Sequence, residues 1–126
     1  RERRSETVLQ GQAFVKTVND LWEQELPELC YPVAVGTAAQ CERLNHYDIV
    51  VAYLQAFATN LIYTAVRLVP LGQTQGQRVL TTLTSDLLDT GALAVSATDQ
   101  DLTNAAVLSD IASMRHETLK TRVFKT

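Results

Sequence analysis

Apolar positions recur along most of this chain at intervals of three and four, the period of an amphipathic helix, and no stretch alternates in the period of two that a half-buried strand requires. Over residues 2–24, Val8, Gly11, Val15, Val18 and Trp22 form one stripe, flanked by Phe14 and Leu21. Gly11 lies inside that stripe. A glycine within a helix costs about 1 kcal/mol relative to alanine, so its place there predicts the close approach of another backbone. Pro27 closes the segment. A short helix is expected over 31–44, with Pro32 at a permitted first-turn position and the small residues Ala34, Gly36, Ala38 and Ala39 suited to tight packing.

Asn45 is the expected cap of the next helix, over 46–69. Residues 49–66 carry no charge, which by length alone meets the threshold for a membrane span. Gln55, Thr59, Asn60 and Thr64 interrupt the run, and neither a basic flank nor an aromatic belt accompanies it. The pattern therefore predicts a helix buried on most faces of a soluble bundle, with Tyr53, Phe57 and Tyr63 in its core or at an interface. A following helix puts Gly76, Leu80, Leu83 and Leu87 on one face and Gln77, Arg78, Thr81 and Ser85 on the other, with Gly91 as its expected end. Residues 92–97 are apolar but too short to assign. Thr98 and Asp101 have capping-box spacing and predict a helix to about residue 108. The last stretch is expected to start helical and to finish as a basic tail over 115–126, carrying Leu119, Val123 and Phe124 at helical spacing. The fold class is all-α, a bundle of five or six helices around a long central apolar helix in a single domain.

The joint between the two longest helices, residues 67–78, is the most informative stretch. Pro70 lacks a backbone N–H and disfavours the α region for its predecessor, so the incoming helix should stop near Leu68 or Val69. Gly72 is expected in the left-handed conformation that closes a helix end. Thr74 is placed to cap the outgoing helix, with Gln77 reaching back from three residues on. Two glycines ahead of a helix start, followed by Arg78, also suggest a phosphate cradle. The P-loop pattern fails because Gly72 and Gly76 are too close together, no Lys-Ser/Thr pair follows, and a helix rather than a strand precedes. Arg67 is the one charge near the end of an apolar helix, able either to cap carbonyls or to reach a partner.

Composition adjusts this picture only slightly. At 126 residues the chain is one domain's worth, and 46% apolar with 20% charged residues is ordinary for a globular protein. Net charge −3 and a pI near 5.3 argue against a general nucleic-acid or anionic-membrane binder. Cys30 and Cys41 fit neither a C-x-x-C nor a zinc spacing and are expected to be packed, reduced thiols in a cytoplasmic protein. The chain opens Arg1-Glu2-Arg3-Arg4 without an initiator Met, and three cations would oppose the dipole of a helix start, so it is expected to be the C-terminal portion of something longer.

Candidate chemistry is sparse. Ser113, His116 and Glu117 make a nucleophile, base and acid on paper, yet adjacent helical residues point about 100° apart, so this Glu does not orient this His. The possible soft ligands His46, His116, Cys30 and Cys41 form no H-E-x-x-H or paired-cysteine pattern. The expectation is no catalytic residue, no metal site and no cofactor.

Three stretches carry a resemblance. R-L-V-P-L-G-Q-T-x-G-Q-R at 67–78, D-I-A-S-M-R-H-E at 110–117 and R-x-F-x-[ST] at 122–126 resemble the C-terminal half of urease accessory proteins of the UreF type, with a looser match in R-R-S-E-T-x-x-Q-G at 3–11. The family tail commonly reads R-L-F-R-S, and Val123, Lys125 and Thr126 are mild departures from it. The resemblance implies an all-α, non-enzymatic scaffold for nickel delivery to apo-urease. It implies homodimers, a second accessory protein (UreD, also called UreH) gripped partly through the C-terminal tail, and recruitment of the GTPase UreG. Carried over by position, it implies Arg67, Pro70, Leu71, Gly72, Gln73, Gly76 and Gln77 as a partner-facing or shape-setting motif, and His116, Glu117, Arg122 and Phe124 as tail contacts. It also implies an exposed apolar face where an N-terminal half belongs. The alternative functions are a regulator of the GTPase's nucleotide turnover, through Arg67 or Gln73 acting in trans, and a small helical hydrolase using His116.

Overall fold

The computed structural model describes residues 2–103 and 106–120. Among these, five α-helices follow in order, α1 (Glu2–Trp22), α2 (Tyr31–Cys41), α3 (His46–Leu68), α4 (Gln73–Ser96) and α5 (Val107–His116), with a 3-10 turn at Asp99–Asp101 between the last two. The described residues contain no strand, as the helical periodicity requires. The chain divides into two compact units, one of residues 1–42 and 103–126 and one of residues 43–102.

In the first unit α1 packs on α2, with Val15 and Val18 of α1 and Ala34, Ala38 and Ala39 of α2 all buried. Burying each valine contributes about 1.5–3 kcal/mol. Gly11 is buried, and a Cβ built there would lie 2.0 Å from the Leu29 carbonyl oxygen and 2.7 Å from the Tyr31 nitrogen. The backbone approach expected from its place in the stripe is therefore real. Beside it, Phe14 and Tyr31 meet edge to face at 5.6 Å. Asn19 holds the connection to α2, its Nδ2 donating to the Leu26 carbonyl at 3.0 Å and its Oδ1 accepting from the Leu26 N–H at 2.9 Å.

This unit departs from the sequence expectations in several places. The stripe buries only in its middle, since Val8, Leu21 and Trp22 are exposed. The helix ends at Trp22, two residues early, because Glu23 takes the left-handed conformation (φ 53°) that stops helical hydrogen bonding. Arg43 (φ 55°) does the same after α2, which ends at Cys41 rather than near residue 44. Cys41 is exposed and not packed, whereas Cys30 is half-buried.

In the second unit α3 and α4 form an antiparallel helical hairpin. Asn45 caps α3 as expected, Oδ1 accepting from the Tyr47 and Asp48 N–H groups at 2.9 and 3.2 Å. Side chains of α3 meet the α4 backbone at both ends of the hairpin, Val66 and Ile62 at Gly76, and Val51 and Tyr47 at Gly91. Gly91 is thus a packing residue and not the helix end. It continues the Leu83–Leu87 spacing by one more turn, and α4 runs on to Ser96. Nor is α3 buried on most faces: Ala58 is its one buried residue, and Phe57 (58%), Leu61 (55%) and Leu68 (55%) are exposed. A single partner helix covers one side of a rod and leaves the rest open. By length and composition alone α3 is also apolar enough to cross a membrane. The helix expected from Thr98 is a 3-10 turn, and the next helix starts only at Val107.

Candidate functional site

The joint between α3 and α4 is built from the residues that Pro70 forces out of helical geometry. Val69 is the extended residue after Leu68 (φ −128°, ψ 158°), its N–H still bonded to the Ala65 carbonyl at 2.9 Å. Around Pro70 the chain reverses in a single three-residue turn, the Leu71 N–H donating to the Val69 carbonyl at 2.6 Å. That is the inverse γ-turn, whose central φ is the one proline already holds. The helix therefore ends where Pro70 predicts.

The outgoing half differs from expectation in its chemistry. Gly72 is extended (φ −71°, ψ 154°), not left-handed, and is itself the N-cap of α4. Its N–H is satisfied by the Gln75 side chain, Oε1 at 3.1 Å, and its carbonyl accepts from the Gly76 N–H at 2.9 Å. Glycine has no side chain to accept in return, so this is the reach-back half of a capping box only. Thr74 accordingly sits in the first turn of α4 and does not cap it. Gln77 is free to bond elsewhere, and its Nε2 donates to the Tyr63 hydroxyl at 3.3 Å, tying the first turns of α4 to α3.

These contacts divide the motif in two. Arg67, Pro70, Gly72, Gln73 and Gln77 are exposed, Leu71 is half-buried and Gly76 is buried. A Cβ on Gly76 would stand 3.0 Å from Val66 Cγ2 and 3.1 Å from Ile62 Cγ2, so this glycine sets how closely the helices meet. A Cβ on Gly72 would meet only Gln75 Oε1, at 3.8 Å. Arg67 lies in the last turn of α3, where the helix dipole favours a cation, and its guanidinium has no hydrogen-bond or ion-pair partner among the described residues. Tyr63 and Gln75 escape a sequence reading. Gln75 is signalled by its three-residue spacing from Gly72 once that glycine is taken as the cap; nothing in the sequence links Tyr63 to Gln77.

The remaining predicted residues belong to the other unit. His116 is the last residue of α5 and Glu117 its C-cap, both half-buried. The helix tightens there, the Thr118 and Leu119 N–H groups donating to the Arg115 and His116 carbonyls at 3.2 and 3.1 Å. Arg122 and Phe124 lie outside the described residues. The Arg3 guanidinium pairs with the Asp110 carboxylate and reaches the Ser109 hydroxyl, so two of the recognisable stretches, 3–11 and 110–117, touch. Among the described residues no three His, Cys, Asp or Glu side chains are grouped so as to hold a metal.

Fold and joint together define an all-helical protein whose most distinctive motif is a surface-exposed elbow between two helices. Family comparison makes this more specific. The UreF family model matches residues 1–84, which include the elbow. The chain is 48% identical over 125 residues to the urease accessory protein UreF of Roseobacter denitrificans, 46% to that of Ruegeria pomeroyi and 43% to that of Dinoroseobacter shibae. Each match covers 99% of this chain and 56, 58 and 60% of the respective relative. The chain belongs to the UreF family of urease accessory proteins, a non-enzymatic family. It spans somewhat over half the length of these relatives, and no solved structure matches it.

Proposed function

We propose that this chain acts as a cytoplasmic, homodimeric scaffold in urease maturation. It binds the accessory protein UreD (UreH) and the GTPase UreG, and through that complex helps assemble the nickel centre of apo-urease. Family membership motivates the role. The observation that carries the choice of surface is the exposed Arg67, without an intramolecular partner among the described residues beside a joint of defined geometry. An unpaired planar guanidinium on an ordered helix end is ready to form a bidentate bond with a partner's carboxylate.

In this reading Arg67, Pro70, Gly72 and Gln73 face the partner. Leu71, Gly76 and Gln77 hold the elbow's shape, through burial, close helix approach and the Tyr63 hydrogen bond. His116 and Glu117, with Arg122 and Phe124 beyond the described residues, form the second contact. Pull-down of UreD and UreG by the full-length protein tests this. Arg67→Ala and a truncation before Arg115 should each weaken capture about tenfold or more, the loss expected when a charged hot spot is truncated. Normal capture by both variants would reject the assigned surfaces.

A further inference from the structure

The contact between α5 and α1 includes a fork of polar bonds. No residue of α5 is fully buried: Val107 (61%), Leu108 (83%) and Met114 (60%) lie open and Ile111 (38%) is partly covered, so apolar packing holds this helix only weakly. What the structure shows between them is the fork of Arg3, one arm on the Asp110 carboxylate and the other on the Ser109 hydroxyl. Both partners in the ion pair are solvent-accessible, at 49 and 35%. An accessible pair of this kind is worth little in water and is screened by salt, whose Debye length falls from about 10 Å at 0.1 M to about 3 Å at 1 M. An element with few buried contacts also sits at the low-stability end of local unfolding.

We infer that Arg3 is an electrostatic latch. It docks α5 on α1 through Asp110 and Ser109, and its release frees α5 without unfolding the α1–α2 pair. The α1–α2 pair keeps its own fastening through Val15, Val18 and the Gly11 backbone contact, none of which involves Arg3. Removing Arg3 also takes a cation away from the start of α1, which the helix dipole favours, so loss of α1 is not an expected side effect.

Amide hydrogen exchange on the full chain tests the latch. In Arg3→Ala at low ionic strength, amides of 107–116 should exchange about two- to fivefold faster than in the parent, the range an exposed charge pair gives. Amides of 11–18 should be unchanged, and the gap in α5 should close as salt approaches about 1 M. Arg3→Lys, which keeps the charge and loses the fork, should fall between the two. Equal exchange of α5 in the parent and Arg3→Ala at low salt would overturn the inference. So would a gap that persists undiminished at about 1 M salt, or a matching loss of protection across 11–18.

Discussion

Glycine fastens the two units in different ways. In the first, Gly11 presses against backbone, with the Leu29 carbonyl and the Tyr31 nitrogen where a Cβ would go. In the second, Gly76 and Gly91 press against methyl groups and a ring, those of Val66, Ile62, Val51 and Tyr47. Backbone can step aside only by dragging its chain neighbours with it, whereas a side chain can rotate or lean by a few tenths of an ångström. The α1–α2 contact is therefore fixed in place, while the spacing of the α3–α4 hairpin, and with it the setting of the elbow, can be tuned by single side chains.

Substitution of each glycine by alanine probes that contrast, and the effects should fall in a set order. Gly11→Ala should be the most damaging, costing about 3 kcal/mol even after the gain of about 1 kcal/mol in helix propensity. Chemical denaturation should show it as a fall in midpoint, and a variant as stable as the parent would mean that the backbone contact is not there. Gly91→Ala should cost about 1–2 kcal/mol net, because Val51 Cγ2 lies 2.7 Å from the new Cβ and a β-branched side chain is stiff in a helix. Val51→Ala in the same chain should recover part of the gap in a double-mutant cycle.

Gly76→Ala should lie within about 1 kcal/mol of neutral, because contacts of 3.0 and 3.1 Å roughly offset the propensity gain. Gly72→Ser should be neutral or stabilising by a few tenths of a kcal/mol, since the site is open, its φ is negative and serine supplies the missing half of the cap. A loss of more than about 1 kcal/mol at Gly72 would show that this glycine needs a conformation other than the one described. The smallest effect is one of pH. The Thr98 backbone N–H and hydroxyl both donate to the Asp101 carboxylate at 2.8 Å and hold its pKa below the usual aspartate range. A depressed folded pKa stabilises the turn above the ordinary aspartate pKa, and that contribution is lost as pH falls through the lowered value. A carboxyl titration followed by NMR should place Asp101 below the ordinary aspartate range, and Thr98→Ala should bring it back up.

The sequence was most legible where one residue type has one local use. Pro70 stopped α3 at Leu68, Asn45 capped it, and Gly11 inside an apolar stripe marked a backbone contact. It was least legible where glycine has several uses. Gly91 reads as an end signal, yet its spacing from Leu83 and Leu87 continues the packed face, and phase rather than residue type decides the matter. At Gly72 two capping schemes share the same three-residue spacing, Gly72 with Gln75 and Thr74 with Gln77. The first is realised while Gln77 bonds to Tyr63, a partner fixed only by the folded hairpin. The expectation that α3 is mostly buried followed from its lack of charge. Hydropathy states what a helix would cover if it could, not how much of the chain is there to cover it.

If the elbow is a surface gripped by other accessory proteins, its backbone must become protected when they bind. Hydrogen exchange of the full-length protein, alone and mixed with the proposed partners UreD and UreG, reads that protection. Amides across 67–78 should slow markedly on assembly, and Arg67→Ala should abolish the slowing at partner concentrations that saturate the parent. Unchanged exchange across 67–78 in a complex shown to be formed would contradict the assignment of the elbow as a docking surface.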